Sequence, residues 1–203
     1  ITPYASPLGT VPRLLATQQL TTAADLAHYL ALVDEAAAMA DTIRGGLEAR
    51  RTRKLLLPKE ELRLVIPFVR GFAQPPEQSP FSVAEGRLAA VSPAQRDEFR
   101  RALGARITTR VNPALERLAA YLEGPYRAET SDKVGLGQYP GGDAFYRHLV
   151  RQHTTMDVTP DAVHRIGLAE VARIDSAMAR VRAELGFTGT KAQFHDSLRK
   201  DAR

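Results

Sequence analysis

The sequence predicts an all-α fold, an irregular bundle of six to eight helices with two long loops. Over several long stretches, apolar residues recur at alternating spacings of three and four, as they do on the buried face of a helix. The 203 residues include no Trp and only 6% aromatic residues, whereas Ala, Leu, Arg and Glu, which favour helices, are frequent. No segment shows the alternation of apolar and polar residues that is typical of a strand.

The first predicted helices follow an extended arm at Ile1–Thr10. A short helix is predicted at Pro12–Leu20, and Thr22 is a typical N-cap for a long amphipathic helix. The apolar face of that long helix consists of Leu26, Leu30, Val33, Ala37, Ala40 and Leu47. Its end carries a basic run that suits the negative pole of the helix dipole and that we interpret as a solvated surface: Arg50, Arg51, Arg53 and Lys54.

The next helix is predicted to begin at Pro58, with Glu60 and Glu61 near its positive end. Pro67 should kink or split this helix, because proline lacks the backbone N–H and clashes with the preceding turn. The segment Ala73–Gly86 contains three prolines and predicts the first long loop.

A capping box at Ser92–Gln95 predicts the start of another long helix. Its apolar residues keep one phase across the Asn112-Pro113 step, which indicates one kinked helix rather than two independent ones. We expect this helix to end at Gly124-Pro125. Four glycines then mark the second long loop, at Arg127–Gly142.

Three further helices are predicted in the last third of the chain. Gly142–His153 forms the first, with Phe145 facing inward, and Thr190–Arg199 forms the last. Between them, Thr159–Leu185 is the clearest helix of the sequence, because Thr and Pro open it and Gly follows its end. Residues at strict three-four spacing form an apolar stripe along it: His164, Gly167, Val171, Ile174, Met178, Val181 and Leu185.

The length fits one helical domain over residues 1–203, or the N-terminal part of a larger domain, with a possible sub-boundary in the loop at residues 73–91.

The absence of cysteine excludes disulfides, thiolate metal sites and a cysteine nucleophile. No apolar run reaches the roughly 18 residues that span a bilayer. The net charge of +5 is accompanied by no nucleic-acid-binding motif, so we expect no nucleic-acid partner. Because the chain begins with Ile1, we expect its first residue not to be the start of translation.

The five histidines form no recognisable metal-binding array. None is followed by Glu, so the His-Glu-x-x-His pattern of zinc peptidases is absent. His148 and His153 are five residues apart, or about 500° of helical rotation, and therefore point to different sides. The sequence contains neither a serine nucleophile elbow nor an Asp-His pair at suitable spacing, so it predicts no hydrolase triad. The residues alone thus assign no catalytic group and no metal ligand.

His164 lies on the apolar stripe of the long helix, near Gly167, where another backbone can approach closely. Two interpretations are open for it. It is either a core histidine satisfied by a hydrogen bond or a residue presented to a cleft.

The segment Gln138–Met178 resembles the bacterial proteins grouped as DUF885. It contains a Pro-Gly-Gly turn, a Phe-Tyr pair, a Leu-Val-Arg run, and then His-Thr-Thr, Asp and Thr-Pro at the family's spacing. The His-x-x-Gly-Leu step at His164 into a long helix with Glu170-Val171 completes the resemblance. It covers about 60 residues specifically, since the following Gly186-Phe187 and the segment Phe194–Asp201 also fit.

The resemblance implies a mainly helical zinc metallopeptidase-like enzyme of well over twice this length. Its metal site, a His-Glu pair followed by Pro-Gly-His and a later Glu, lies downstream of the matched segment. The present chain therefore resembles the N-terminal portion, and zinc is expected only in the full-length parent. In such enzymes the N-terminal helices form one wall of a deep substrate cleft, and the resemblance makes Tyr139, Tyr146, His153 and His164 the candidates for lining it.

Two functional hypotheses follow. In the first, the chain is the N-terminal helical part of a zinc-dependent peptidase-like hydrolase, with the remainder of its own polypeptide as partner and a peptide as substrate. In the second, it is a non-catalytic helical module that binds a protein or peptide in a groove between helices.

Overall fold

The computed structural model describes residues 6–200, which form helices and loops with no strand among them. The chain divides into two compact units between Tyr139 and Pro140. The first unit contains α1 to α5 and the second α6 to α8, at Pro7–Ala16, Ala23–Arg51, Lys59–Arg70, Pro93–Arg106, Asn112–Tyr121, Gly142–Thr154, Pro160–Glu184 and Lys191–Lys200. The prediction of an all-α fold is confirmed.

Capping boxes start two helices of the first unit where the sequence predicts them. At α2, the Thr22 hydroxyl accepts a hydrogen bond from the Asp25 N–H at 3.1 Å, and the Asp25 carboxylate accepts one from the Thr22 N–H at 2.8 Å. Ser92 and Gln95 form the same reciprocal pair at α4. Each pair satisfies backbone donors that have no partner within the helix.

The core of the first unit lies between α2 and α5, with α1, α3 and α4 packed around them. The first long loop belongs to this core, because Phe81 within it and Leu88 just after it are fully buried. The Tyr29 hydroxyl on α2 donates a hydrogen bond to the Phe81 carbonyl at 3.0 Å and fixes the loop. The possible sub-boundary at residues 73–91 therefore falls within the first unit.

The long helix that begins at Pro93 runs on to residue 128 through two π-helical turns, at Ile107–Val111 and Leu122–Tyr126. The prediction of one continuous helix is confirmed, but its expected end at Gly124-Pro125 is wrong. Proline cannot donate to the preceding turn, and the wider π turn leaves room for its ring. After Pro125, the Arg127 N–H donates to the Leu122 carbonyl five residues back, so the helix resumes.

Two sequence predictions near prolines also need correction. Helix α1 begins at Pro7, not Pro12, because the Ser6 hydroxyl caps it and Pro7 occupies the first helical position. Of the predicted extended arm, Pro7–Thr10 is helical and residues 1–5 lie outside the described part. Pro67 does not split α3, since it lies in the last turn and removes a single hydrogen bond there.

The second unit is much less buried than the first. Among its described residues, the buried ones are Gly142 and Phe194, and α7 has none. Phe145, predicted to face inward, is 53% exposed, and Val171 on the apolar stripe of α7 is 58% exposed. The prediction that Phe145 faces inward is therefore wrong for the described residues. The less exposed residues of α7, such as Ala162, Val163 and Ala177, lie outside the predicted stripe, which shares only Met178 with them. The caps are as predicted, with Thr159 before α7 and Gly186 in the left-handed conformation after it.

None of the helices in residues 6–200 combines the length and the apolar character that crossing a bilayer requires.

Truncating a core leucine of α5 should strongly destabilise the first unit. Leu118 is completely buried, so Leu118→Ala is expected to lower the free energy of unfolding by about 2–5 kcal/mol. The matched control, Leu64→Ala, removes the same atoms from an exposed position on α3 and should change it by less than about 0.5 kcal/mol. Urea denaturation measures both values, and equal losses would contradict the assigned core.

A surface ion pair between α2 and α5 should make stability depend on acid pH. The Asp41 carboxylate accepts two hydrogen bonds from the Arg117 guanidinium, at 2.7 and 3.3 Å, and these lower the pKa of Asp41. The pair therefore stabilises the fold above the ordinary carboxylate pKa, and this contribution is lost as the pH falls through the lowered pKa. Because both side chains are more than one-third exposed, the contribution should be only about 0.2–1 kcal/mol.

The variant Asp41→Asn is expected to lose that contribution at neutral pH and to match the wild-type protein in strong acid. Asp97→Asn is the control, because Asp97 has no cation within 4.0 Å in the described part of the chain. Unfolding free energies measured across acid and neutral pH test the pair. A difference that persists in strong acid would show that Asp41 acts through something other than its charge.

Candidate functional site

Tyr139, the first of the predicted substrate-binding residues, lies at the end of the first unit and is half-buried. Its hydroxyl donates a hydrogen bond to the Leu56 carbonyl in the loop between α2 and α3. Burial raises the pKa of Tyr139, and the negative charge of Glu61 raises it further. The ring is therefore held in place by the loop.

Tyr139 lines a pocket of about 310 Å³ in the first unit. The other lining residues come from the end of α2, the following loop and the second π turn: Leu47, Arg50, Leu55, Leu56, Leu57 and Tyr126. Tyr126 is fully buried, and its hydroxyl accepts a hydrogen bond from the Leu57 N–H at 2.8 Å. The sequence analysis missed this pocket, because its parts are separated by up to 92 residues (139 − 47).

Tyr146 and His153 lie on α6 in the second unit, and both are exposed. They are seven residues apart, so they share one face of the helix about 10 Å apart along its axis. Leu149 and Val150 lie between them and are half-buried. This face of α6 thus combines an apolar middle with two aromatic side chains that can form hydrogen bonds.

His164 lies in the second turn of α7 and is exposed. Within residues 6–200, therefore, His164 does not belong to a core. The exposed apolar stripe starts from His164 and continues through Val171 and Ile174 to Leu185. Tyr146, His153 and His164 thus all lie on exposed helix faces of the second unit, whereas Tyr139 belongs to the first.

A basic cleft between α6 and the start of α7 also escaped the sequence analysis. It has a volume of about 450 Å³ and is lined by Ala144, Arg147, His148, Arg151, Asp157, Val158 and Thr159. Arg151 is paired with Asp157 at 2.6 Å, and the His148 ring is stacked on Phe145 with a centroid distance of 6.5 Å. The sequence does contain one indication of this cleft, because Arg147 and Arg151 are four residues apart and so lie on the same face of one helix.

The zinc implied by the family resemblance does not fit the residues of this chain. Within residues 6–200, no three side chains among His, Asp and Glu come together in a group that could hold a metal ion. His148 and His153 are both exposed on α6, and their spacing of five residues puts them on different sides of a helix. No reaction step that needs a metal can be assigned to these residues.

The family model described as "Bacterial protein of unknown function (DUF885)" matches residues 1–203. The resemblance inferred from Gln138–Met178 therefore extends over the whole chain. A comparison with curated proteins found no match.

Among solved structures, the chain is similar to "the putative lipoprotein from Colwellia psychrerythraea", with a TM-score of 0.84 and 24% sequence identity. The match covers 98% of this chain and 35% of the other, so the chain spans about a third of that protein's length. At this identity the similarity shows the fold alone, and it agrees with the helical architecture described above.

The two tyrosines of the first-unit pocket should differ in their contribution to stability. Tyr126→Phe leaves the Leu57 N–H without its acceptor beside a fully buried ring, which should cost about 1–2 kcal/mol of unfolding free energy. Tyr139→Phe should cost less, because water can reach the Leu56 carbonyl beside a half-buried ring. Urea denaturation of both variants tests this order, and a larger loss in Tyr139→Phe would reverse the assigned roles.

Proposed function

Because the chain belongs to the DUF885 family of bacterial proteins, we propose that it forms the peptide-binding wall of a hydrolase and not its catalytic centre. The exposed helix faces of the second unit are the observation that supports this proposal most directly. One such face of α6 carries Tyr146 and His153, and α7 carries His164 and the apolar stripe that ends at Leu185. Catalytic groups and metal ligands would come from the remainder of the polypeptide.

The stripe on α7 has the dimensions of a site for an extended peptide. From His164 to Leu185 the helix rises about 32 Å, at about 1.5 Å per residue. An extended peptide advances about 3.3 Å per residue, so about nine or ten residues would lie along this length. Val171, Ile174 and Val181 offer apolar surface for its side chains.

The polar side chains among the candidate residues would hold the peptide backbone by hydrogen bonds. The Tyr146 hydroxyl and the imidazoles of His153 and His164 can each donate and accept hydrogen bonds, which matches the N–H and C=O groups of an extended chain. All three side chains are exposed and have no hydrogen-bond partner within the described residues. They are therefore available to a ligand without breaking an internal contact.

The second hypothesis, a non-catalytic module that binds a protein or peptide partner, is favoured by the same exposed stripe. The closed core of the first unit also supports it, because such a core is expected to fold cooperatively without further chain. The two hypotheses differ in chemistry. Hydrolysis by the full-length polypeptide that a chelator abolishes would favour the hydrolase, and peptide binding without hydrolysis would favour the module.

The histidines provide a test of peptide binding with an internal control. On titration of the 203-residue chain with a blocked peptide rich in leucine and phenylalanine, we expect the imidazole NMR signals of His153 and His164 to shift. The signal of His28, which is exposed on α2 in the first unit, should not shift. His153→Ala should weaken binding several-fold and His28→Ala should not, and equal shifts at all three histidines would contradict the assigned wall.

The proposal that the metal ligands lie in the remainder of the polypeptide has its own test. After incubation with zinc and removal of the excess, elemental analysis of the 203-residue chain should find no stoichiometric metal. One tightly bound zinc per chain would overturn the proposal that the ligands lie elsewhere.

A further inference from the structure

The pocket beside Tyr139 has fixed walls in which leucine side chains alternate with polar groups. Leucines line it from the end of α2 and from the loop that follows, at Leu47 and residues 55–57. Two tyrosine rings complete the wall, and the hydroxyls of both are bound to the backbone of that loop. The walls are therefore organised before any ligand enters, which reduces the entropic cost of binding.

The loop itself depends on an uncommon conformation at Lys54, which has a positive φ of 58° although it is not glycine. The ammonium group of Lys54 is paired with Glu129 at 3.2 Å, and the backbone N–H of Lys54 donates to the Arg51 carbonyl at 2.9 Å. These contacts hold the chain reversal that turns the leucines toward the pocket.

The basic run at the end of α2 is only partly neutralised. Arg51 is paired with Glu48 at 2.8 Å and with Glu129 at 3.0 Å, and Lys54 shares Glu129. For Arg50 and Arg53, by contrast, no carboxylate lies within 4.0 Å anywhere in residues 6–200. Two of the four cations thus keep an unbalanced charge.

Arg50 carries one of these unpaired charges and lies in the wall of the pocket. It is the one charged residue that lines the cavity, and no acidic residue lines it. Burial raises the pKa of Tyr126, whereas the positive charge of Arg50 acts in the opposite direction, as expected for a guanidinium near the phenol. A pocket that offers leucine and tyrosine side chains together with a single cation suits a small amphipathic anion.

We propose that this pocket binds a small organic acid with one apolar or aromatic group, its carboxylate on Arg50 and its apolar group against the leucine and tyrosine walls. A guanidinium forms bidentate hydrogen bonds with a carboxylate, which gives Arg50 both charge and geometry for this ligand. The volume of about 310 Å³ lies at the lower end of the usual range for ligand pockets, so one ring or one branched chain fits. The site lies in the first unit and does not depend on the function proposed for α6 and α7.

Glu61 limits the affinity of this site. It is half-buried in the first turn of α3, close enough for its charge to act on Tyr139, although it does not line the cavity. A bound carboxylate would be repelled by it. Glu61→Gln is therefore expected to tighten binding of an acid about two-fold and to leave binding of a neutral analogue unchanged.

The test uses phenylpropionate and its uncharged amide as probes for the 203-residue chain, with binding followed by NMR titration. Phenylpropionate should bind with a dissociation constant on the order of 1 mM, as expected for a ligand of this size. The amide should bind at least ten-fold more weakly. Arg50→Gln should weaken binding of the acid about ten-fold, whereas the matched control Arg53→Gln, from the same run but outside the pocket, should have little effect.

The apolar wall is tested separately with Leu55→Ala, which should weaken binding of phenylpropionate but not the weak binding of acetate. Leu55 is partly exposed, so this variant should fold normally. Absence of saturable binding, equal affinity for the acid and the amide, or an equal effect of Arg50→Gln and Arg53→Gln would each overturn the proposal. Acetate binding as tightly as phenylpropionate would also overturn it, because the anion alone would then account for the interaction.

Discussion

Contact between α2 and α5 is the constraint on which the first unit depends. The buried face of α2 carries small residues at Ala36, Ala37 and Ala40, so a neighbouring helix can approach it closely. Leucines on the second half of the long helix fill the space beside them, and Leu118 is completely enclosed. The first long loop is fixed to the same core through Tyr29, and the ion pair between Asp41 and Arg117 joins the two helices at the surface. A change in the separation of α2 and α5 would therefore disturb every other element of the unit.

The two units use the same helix-forming sequence patterns with different outcomes. In the first, five helices enclose one another's apolar faces around a common core. In the second, α7 is amphipathic along its whole length, yet all its residues are at least partly exposed. The two units differ in how far their apolar faces are buried and not in their helix propensity. The exposed faces of the second unit suit recognition, whereas the packed first unit provides the walls of a ligand pocket.

Much of the fold could be predicted from the sequence because its signals are local. The caps at Thr22, Ser92 and Thr159 act within one helical turn, and the sequence predicts all three correctly. The helix end expected at Gly124-Pro125 was wrong because a π turn is stabilised by packing of the surrounding helices, which no local pattern reveals. The stripe on α7 follows helical periodicity, but all its residues except Met178 are exposed in the described chain, because periodicity does not say what covers a face.

The candidate sites were harder to predict than the fold. The resemblance directs attention to Gln138–Met178, and three of its four candidates are exposed on helices of the second unit. The pocket at Arg50 escaped the analysis because Leu47, Tyr126 and Tyr139 come together only in the folded chain. In the sequence alone, Arg50 was one cation of a basic run, and its lack of a partner became visible only once Glu129 was seen to pair with its neighbours.

The π turns of the long helix have a consequence for insertions and deletions in related sequences. Such a turn accommodates one residue more than the α-helical turn that it replaces. Loss of one residue within Ile107–Val111 or Leu122–Tyr126 would convert the turn to α-helix and leave the flanking segments facing as before. The same loss within α2 would rotate everything beyond it by about 100° and bury the wrong face. Single-residue length differences among members of this family are therefore expected to concentrate in these two segments and to be rare in α2.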